Sequence, residues 1–312
     1  QQLLSKFIMG AVFYNQAVDN YLDEKMGADT KPNDKPYKDG ACYTGKEHSW
    51  DEAFGYWGAA AHSLLLSAED NYNVAKRKDL AAADYNGDGV VDLKSEYVFA
   101  HAYYASSFDK GGKTSYMADI TRAFLDGRKL ITSADGEKLT DAQRTELMGY
   151  VDVISDNWQK VIAESVFKYA GSTYKSLVAL ESVSNADLAD EFSKYMKYWG
   201  ELKGFSMALQ VGKNNIGETA TKLNRMIGFG PMLMDETQIV GIKGMTDSSG
   251  KYISSEYEMA KVYTMHDAKL HMLKVQKLMI DEFGVVAKSN DMLANMADLA
   301  SKIGTSESAE ND

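Results

Sequence analysis

The sequence has very little cysteine, proline or histidine. One cysteine, Cys42, stands in 312 residues, so an intrachain disulfide is impossible and a thiolate zinc site has no ligands to draw on. Three prolines leave few obligatory breaks, and sixteen methionines with abundant Ala and Leu favour helix. Five histidines are too few for a well-furnished catalytic zinc centre. No apolar run approaches the roughly 18 residues needed to span a bilayer. Basic residues are outnumbered, 34 Lys and Arg against 45 Asp and Glu, for a net charge of −11. That balance argues against nucleic acid and anionic membranes, and it suits cations. The motifs G-x-S-x-G and H-E-x-x-H and a phosphate-binding glycine loop are all missing.

The remainder reads as a helical protein. The apolar period places a long amphipathic helix over Leu3–Met26, then a loop to Gly45 broken by Pro32, Pro36 and Gly40. Further helices are expected from the Ser49 region through Leu66, across Leu93–Phe108 and over Ser115–Ile131. Thr140 and Gln143 form a capping box that opens a helix to about Tyr169, with another continuing to Leu180. Asn185 is the expected cap of a helix ending near Gly212. Thr246–Gly250 is a polar turn. Ser255 and Glu258 suggest a capping box starting a helix to Phe283, closed by Gly284, and a last helix covers Asp291–Lys302. No strand alternation stands out, so the expected fold is all-α, one domain over 1–302 with half-bundles of about 1–135 and 140–302. Residues 303–312 read as a disordered acidic tail. The chain begins at Gln1, not Met, which suggests a leader removed by processing or cloning and therefore export.

Two places carry candidate chemistry. The stretch Glu47–Ala59, EHSWDEAFGYWGA, is the densest mixture of possible ligands and aromatics in the chain. On one helix His48, Asp51 and Glu52 have i, i+3 and i, i+4 spacing and could hold a transition metal together. A structural reading competes, in which Ser49 and Glu52 form a capping box and Glu52 is tied to the helix start. Trp50-Asp51-Glu52 is echoed by Trp199-Gly200-Glu201, which brings in Glu201 as a fourth candidate ligand. Arg128, inside a helix, either pairs with a core carboxylate or faces water. His62, His101, His266 and His271 read as core or boundary residues.

The second place is DYNGDGVVDLKSE. Asp84, Asn86, Asp88, Gly89 and Asp92 occupy positions one, three, five, six and nine of a calcium loop, and Val90 offers its carbonyl. Position twelve is Ser95, with the acid one residue late at Glu96, so calcium affinity should be weakened unless Glu96 swings in. The competing reading is an Asx/Gly-rich turn whose carboxylates face water.

EHSWDEAFGYWG, Asp84–Tyr97, FLDGR (Phe124–Arg128), Tyr198–Lys213 and Leu270–Leu278 together resemble, in order, the bacterial family called domain of unknown function 4856, in the imelysin-like superfamily. The resemblance implies two four-helix-type bundles with pseudo-two-fold symmetry. It implies export in a Gram-negative bacterium, as an outer-membrane lipoprotein or a periplasmic protein, and a role in acquiring iron or another metal. Imelysin relatives carry an H-x-x-E motif proposed to bind metal, for which His48-x-x-Asp51 is the nearest match here, with a shorter carboxylate. The leading expectation is a metal-binding protein whose ligand is a metal ion or an iron-containing compound. The alternatives are a surface lipoprotein that docks on an outer-membrane receptor and uses calcium as a brace, and a metallopeptidase of imelysin type.

Overall fold

The computed structural model describes residues 1–27, 29–212 and 214–298. The chain is mostly helical. It opens with α1 (Gln2–Ile8), which passes into wider π-helical stretches, Met9–Tyr14 and Gln16–Gly27. There follow α2 (Gly45–Trp57), α3 (Ala68–Ala75), the single turn α4 (Leu80–Ala83), α5 (Ala100–Asp109) and α6 (Tyr116–Ser133). Next come α7 (Asp141–Leu180), α8 (Leu188–Ala208) and α9 (Gly217–Ile227). A hairpin of β1 (Thr237–Thr246) and β2 (Tyr252–Lys261) precedes α10 (Met265–Phe283). Among the described residues no helix is long and apolar enough to cross a membrane.

Two compact units divide the chain. One comprises residues 5–164 and 207–214, the other residues 1–4, 165–206 and 215–298, among the described residues. The first has an aromatic core. Trp57 meets Trp158 edge-on at 5.0 Å between ring centroids, Tyr14 meets Trp158 at 5.6 Å, and Trp50 meets Phe124 at 5.7 Å. The polar edges of two of these indoles are satisfied: Trp50 Nε1 donates to the Phe124 carbonyl at 2.8 Å, and Trp57 Nε1 to the Thr121 hydroxyl at 3.1 Å. Gly127, on the same helix as Phe124, lies so close under Trp50 that a Cβ there would overlap the ring.

The other unit packs α8 and α10 on the second part of α7. Tyr169 and Phe205 stack at 5.7 Å. Gln276, fully buried, donates to the carbonyls of Phe167 and Asn290 and accepts the Met292 N–H. Gly171 stands where Asn290 comes closest, and a side chain there would collide with the Asn290 carbonyl.

Several sequence expectations are corrected. The hairpin replaces the helix expected from Ser255. Residues 253–259 read I-S-S-E-Y-E-M, whose β-branched and aromatic members alternate with polar ones at period two, and this outweighed the S-E-Y-E cap signal. The true cap of α10 is Thr264, which exchanges hydrogen bonds with Asp267; Gly284 closes the helix at φ +61° as expected. α2 starts one turn earlier than read. Thr44 and Glu47 form its capping box, so Ser49 lies inside the helix and caps nothing, and Gly58 at φ +85° ends the helix well before Leu66. Helix resumes at Ala100, not Leu93, because residues 93–99 close the loop that precedes α5. The box at Thr140 and Gln143 is present, and the helix it opens runs unbroken to Leu180. α8 begins three residues beyond Asn185, and α9 was not foreseen. Within Asp291–Lys302 the structure gives irregular chain at 291–292, a 3-10 turn at Leu293–Asn295 and helix over 296–298; residues 299–302 and the tail 303–312 lie outside the described residues.

Candidate functional site

α2 carries the first cluster, and its capping box decides how the cluster is used. Glu47 sits at the third helical position. One carboxylate oxygen accepts the Thr44 N–H at 2.9 Å. The other accepts from Arg128 Nη1 at 2.6 Å and from the Thr132 hydroxyl at 3.0 Å, both on α6. Arg128 also donates Nε to Asp51 at 2.9 Å and reaches the Thr132 hydroxyl. Glu47 and Asp51 are one helical turn apart, so a single guanidinium clamps both. Burial by itself would raise the Glu47 pKa, but the Thr44 N–H, the Thr132 hydroxyl and Arg128 outweigh it and hold the carboxyl below its usual range.

His48 lies on the neighbouring stripe of α2. Its ring stacks on Tyr37 at 3.8 Å and on Tyr43 at 5.7 Å, while Nε2 faces Glu52 at 3.5 Å. The three expected ligands are therefore divided: His48 and Glu52 form an i, i+4 pair, and Asp51 turns to Arg128. Glu201 is buried in α8 of the other unit. The Trp echo does have a structural counterpart. Trp199 Nε1 donates to the Ile227 carbonyl at 3.1 Å, as Trp50 does to Phe124. The carboxylates that follow differ, Glu52 half-exposed and Glu201 buried. Glu47 and the tyrosines 37 and 43 were missed as partners. The signal for Glu47 was present, since Thr44-x-x-Glu47 is as good a capping box as Ser49-x-x-Glu52 and comes first.

The loop Asp84–Glu96 is wrapped on its own carboxylates. Asp84 accepts the N–H groups of Asp88 at 3.1 Å and Gly89 at 2.8 Å. Asn86 Oδ1 accepts the Asp88 N–H, and Asp88 accepts the Val90 N–H. Asp92 caps Lys94 and takes the Ser95 hydroxyl, contacts that hold its carboxyl below the usual range. Ser95 is thus turned away as a closing ligand. Glu96, buried, reaches back instead: its two oxygens accept the Asn86 N–H at 3.2 Å and the Asp92 N–H at 2.9 Å. Gly87 and Gly89 take φ of +71° and +83°, which is what lets the loop turn this tightly. The loop is pinned at its ends, where Tyr85 stacks on His62 at 4.9 Å and the Ala61 N–H donates to the Ser95 carbonyl at 2.7 Å.

The donor set here is four carboxylates, one amide oxygen and the Val90 carbonyl, all hard oxygen, which fits calcium better than a transition metal. In this arrangement the oxygens face backbone N–H groups. Among the described residues no group of three or more His, Cys, Asp or Glu side chains stands close enough to hold a metal ion. Calcium would have to replace these N–H contacts.

These features define a mostly helical protein with a carboxylate–arginine clamp between two helices and a self-capped acidic loop. The profile of a family described as "Domain of unknown function (DUF4856)" matches residues 1–226, well over half of the chain, and the chain belongs to that family. No curated protein and no solved structure matches it.

Proposed function

We propose that this is a binding protein of the bacterial cell envelope whose loop Asp84–Glu96 takes calcium as a structural brace. One observation carries the reading. Glu96, one place beyond the usual closing position, already spans the loop between Asn86 and Asp92, its third and ninth positions. Asp84, Asn86, Asp88, Asp92 and Glu96 would hold the ion with the Val90 carbonyl. Bound there, calcium neutralises a run of acids and stiffens the connection into α5. Export, the outer-membrane or periplasmic location and the two related half-bundles rest on the imelysin-like resemblance; the shared indole contacts of Trp50 and Trp199 support the last. Calorimetric titration with calcium to about 10 mM, past the weak range of extracellular modules, tests the brace. Binding, with a melting temperature that rises with calcium and falls on chelation, is expected, and Glu96→Gln should abolish the rise. No heat and no thermal shift would refute it.

A second reading keeps metal acquisition, and the pair of His48 and Glu52 at 3.5 Å favours it. A transition metal would take those two side chains and complete its shell from its own ligands, as an iron-containing compound does. Uptake of iron or zinc lost in His48→Ala decides that reading separately from calcium.

A further inference from the structure

The hairpin of β1 and β2 belongs neither to the clamp nor to the acidic loop. It lies beyond the matched residues 1–226. Its root is packed: Gln238 is buried, Ile239 presses on Gly230, and Met232 bridges to Gln238. From Val240 outward both strands are open to solvent almost throughout. A two-stranded ribbon of this length is marginal in water, and stability requires a third strand or cover on an apolar face.

The register shows which face wants cover. Tyr257 pairs with Ile242, Ser255 with Gly244 and Met259 with Ile239. A bulge at Val240 shifts the phase of β1 by one, which is what brings Ile239 to the same side as Ile242. A second bulge at Ile253 leaves Tyr252 opposite Thr246, on that same side. One side of the ribbon is therefore Ile239, Ile242, Tyr252, Tyr257 and Met259 around a dent at Gly244 and Ser255, with Lys261 at its root. The opposite side carries Lys243 paired with Glu256, and Gly241 paired with Glu258. Ile242, Tyr252, Tyr257 and Met259 are 54%, 62%, 67% and 46% exposed. An amphipathic ribbon with its apolar side open to solvent is an interaction surface.

We propose that this face closes on the same face of a second copy of the chain, forming a two-fold dimer. The absence of charge beyond Lys261 at the root is the first reason. In a protein of net charge −11, like charges oppose self-association everywhere except on such a patch. Area is the second. The four side chains leave on the order of 450 Å² open, so two faces hide about 900 Å² before edge residues are counted, close to the ~1,000 Å² that a specific interface needs. The third is fit: a two-fold axis at the dent sets Tyr257 of each copy over Gly244 and Ser255 of the other. A lipid surface is disfavoured, because both ribbon edges keep unpaired backbone groups that hydrocarbon cannot satisfy.

Sedimentation equilibrium on the full chain tests the proposal. A monomer–dimer equilibrium is expected, and Tyr257→Glu should raise its dissociation constant by about tenfold or more. Tyr257→Phe, and Lys243→Gln on the charged side, should stay within about twofold, with unchanged helical circular dichroism in all three. A monomer at every concentration to about 100 µM overturns the proposal. So does a dimer that Tyr257→Glu leaves intact, or one that Lys243→Gln weakens equally.

Discussion

Replacing Gly127 with alanine should destabilise the protein, although alanine is the better helix former. Gly127 lies inside α6 (Tyr116–Ser133), where the change by itself gains about 1 kcal/mol. The added Cβ, however, would overlap the buried Trp50 ring, with Cη2 at 2.6 Å. That ring has little room to move. Phe124 meets it edge-on, and its Nε1 is committed to the Phe124 carbonyl at 2.8 Å. Overpacking a core position costs about 1–3 kcal/mol. Pushing the indole off its acceptor adds about 1–3 kcal/mol for an unpaired buried N–H. Taking the partial relief that a small shift gives, the net loss is about 2 kcal/mol. Gly149 supplies the control. It is exposed on α7 with nothing within 4 Å of its Cβ, so Gly149→Ala should stabilise by about 1 kcal/mol. Urea unfolding followed by far-ultraviolet circular dichroism measures both. In a Trp50→Phe background, with the smaller ring, the cost of Gly127→Ala should shrink. If Gly127→Ala is as stable as the parent, close contact between α2 and α6 is not what Gly127 provides. The contact matters for the clamp too, since Arg128 is the next residue and its reach to Glu47 depends on it.

Two further predictions concern pH. Glu47 has a folded pKa below its ordinary 4.5, so as pH falls the unfolded chain takes the proton first; its contribution is whole above 4.5 and is lost through the lower folded value. Arg128→Met should cost about 1–3 kcal/mol at neutral pH and raise the midpoint of acid unfolding, and an unmoved midpoint would count against the clamp. His101 is fully buried, neither ring nitrogen meets a hydrogen-bond partner among the described residues, and burial with the nearby Lys6 pushes its pKa from 6.5 to about 3. The folded protein keeps His101 neutral while the unfolded chain protonates near 6.5, so stability is full above that pH and declines below it by up to about 1.4 kcal/mol per unit. His101→Leu should flatten that decline, and equal acid lability in the variant would refute the assignment.

Much of the local architecture was legible because its causes are local. The cap at Thr140, the Gly284 stop and the helix over Ser115–Ile131 each depend on residues within a turn or two of one another. The start of α2 was misread for the same kind of reason. Two overlapping capping boxes compete there, and what favours Thr44 is remote: its hydroxyl donates to Asn33, and Glu47 is held by Arg128, 81 residues away. The hairpin was hidden because Ser255–Glu258 satisfies a helix-cap pattern while the pairing that makes it a strand comes from β1.

The sequence by itself determined the helical character, the family and the acidic loop with its late Glu96, since each is a property of composition or of contiguous spacing. The tertiary structure alone decided how the side chains of EHSWDEAF are spent. A helix places Glu47 with Asp51 and His48 with Glu52, but only the approach of α6 across Gly127 commits the first pair to Arg128 and leaves the second against Tyr37 and Tyr43. Charge pairing between segments far apart in the chain depends on where the backbone brings them, and spacing along one segment carries no record of that.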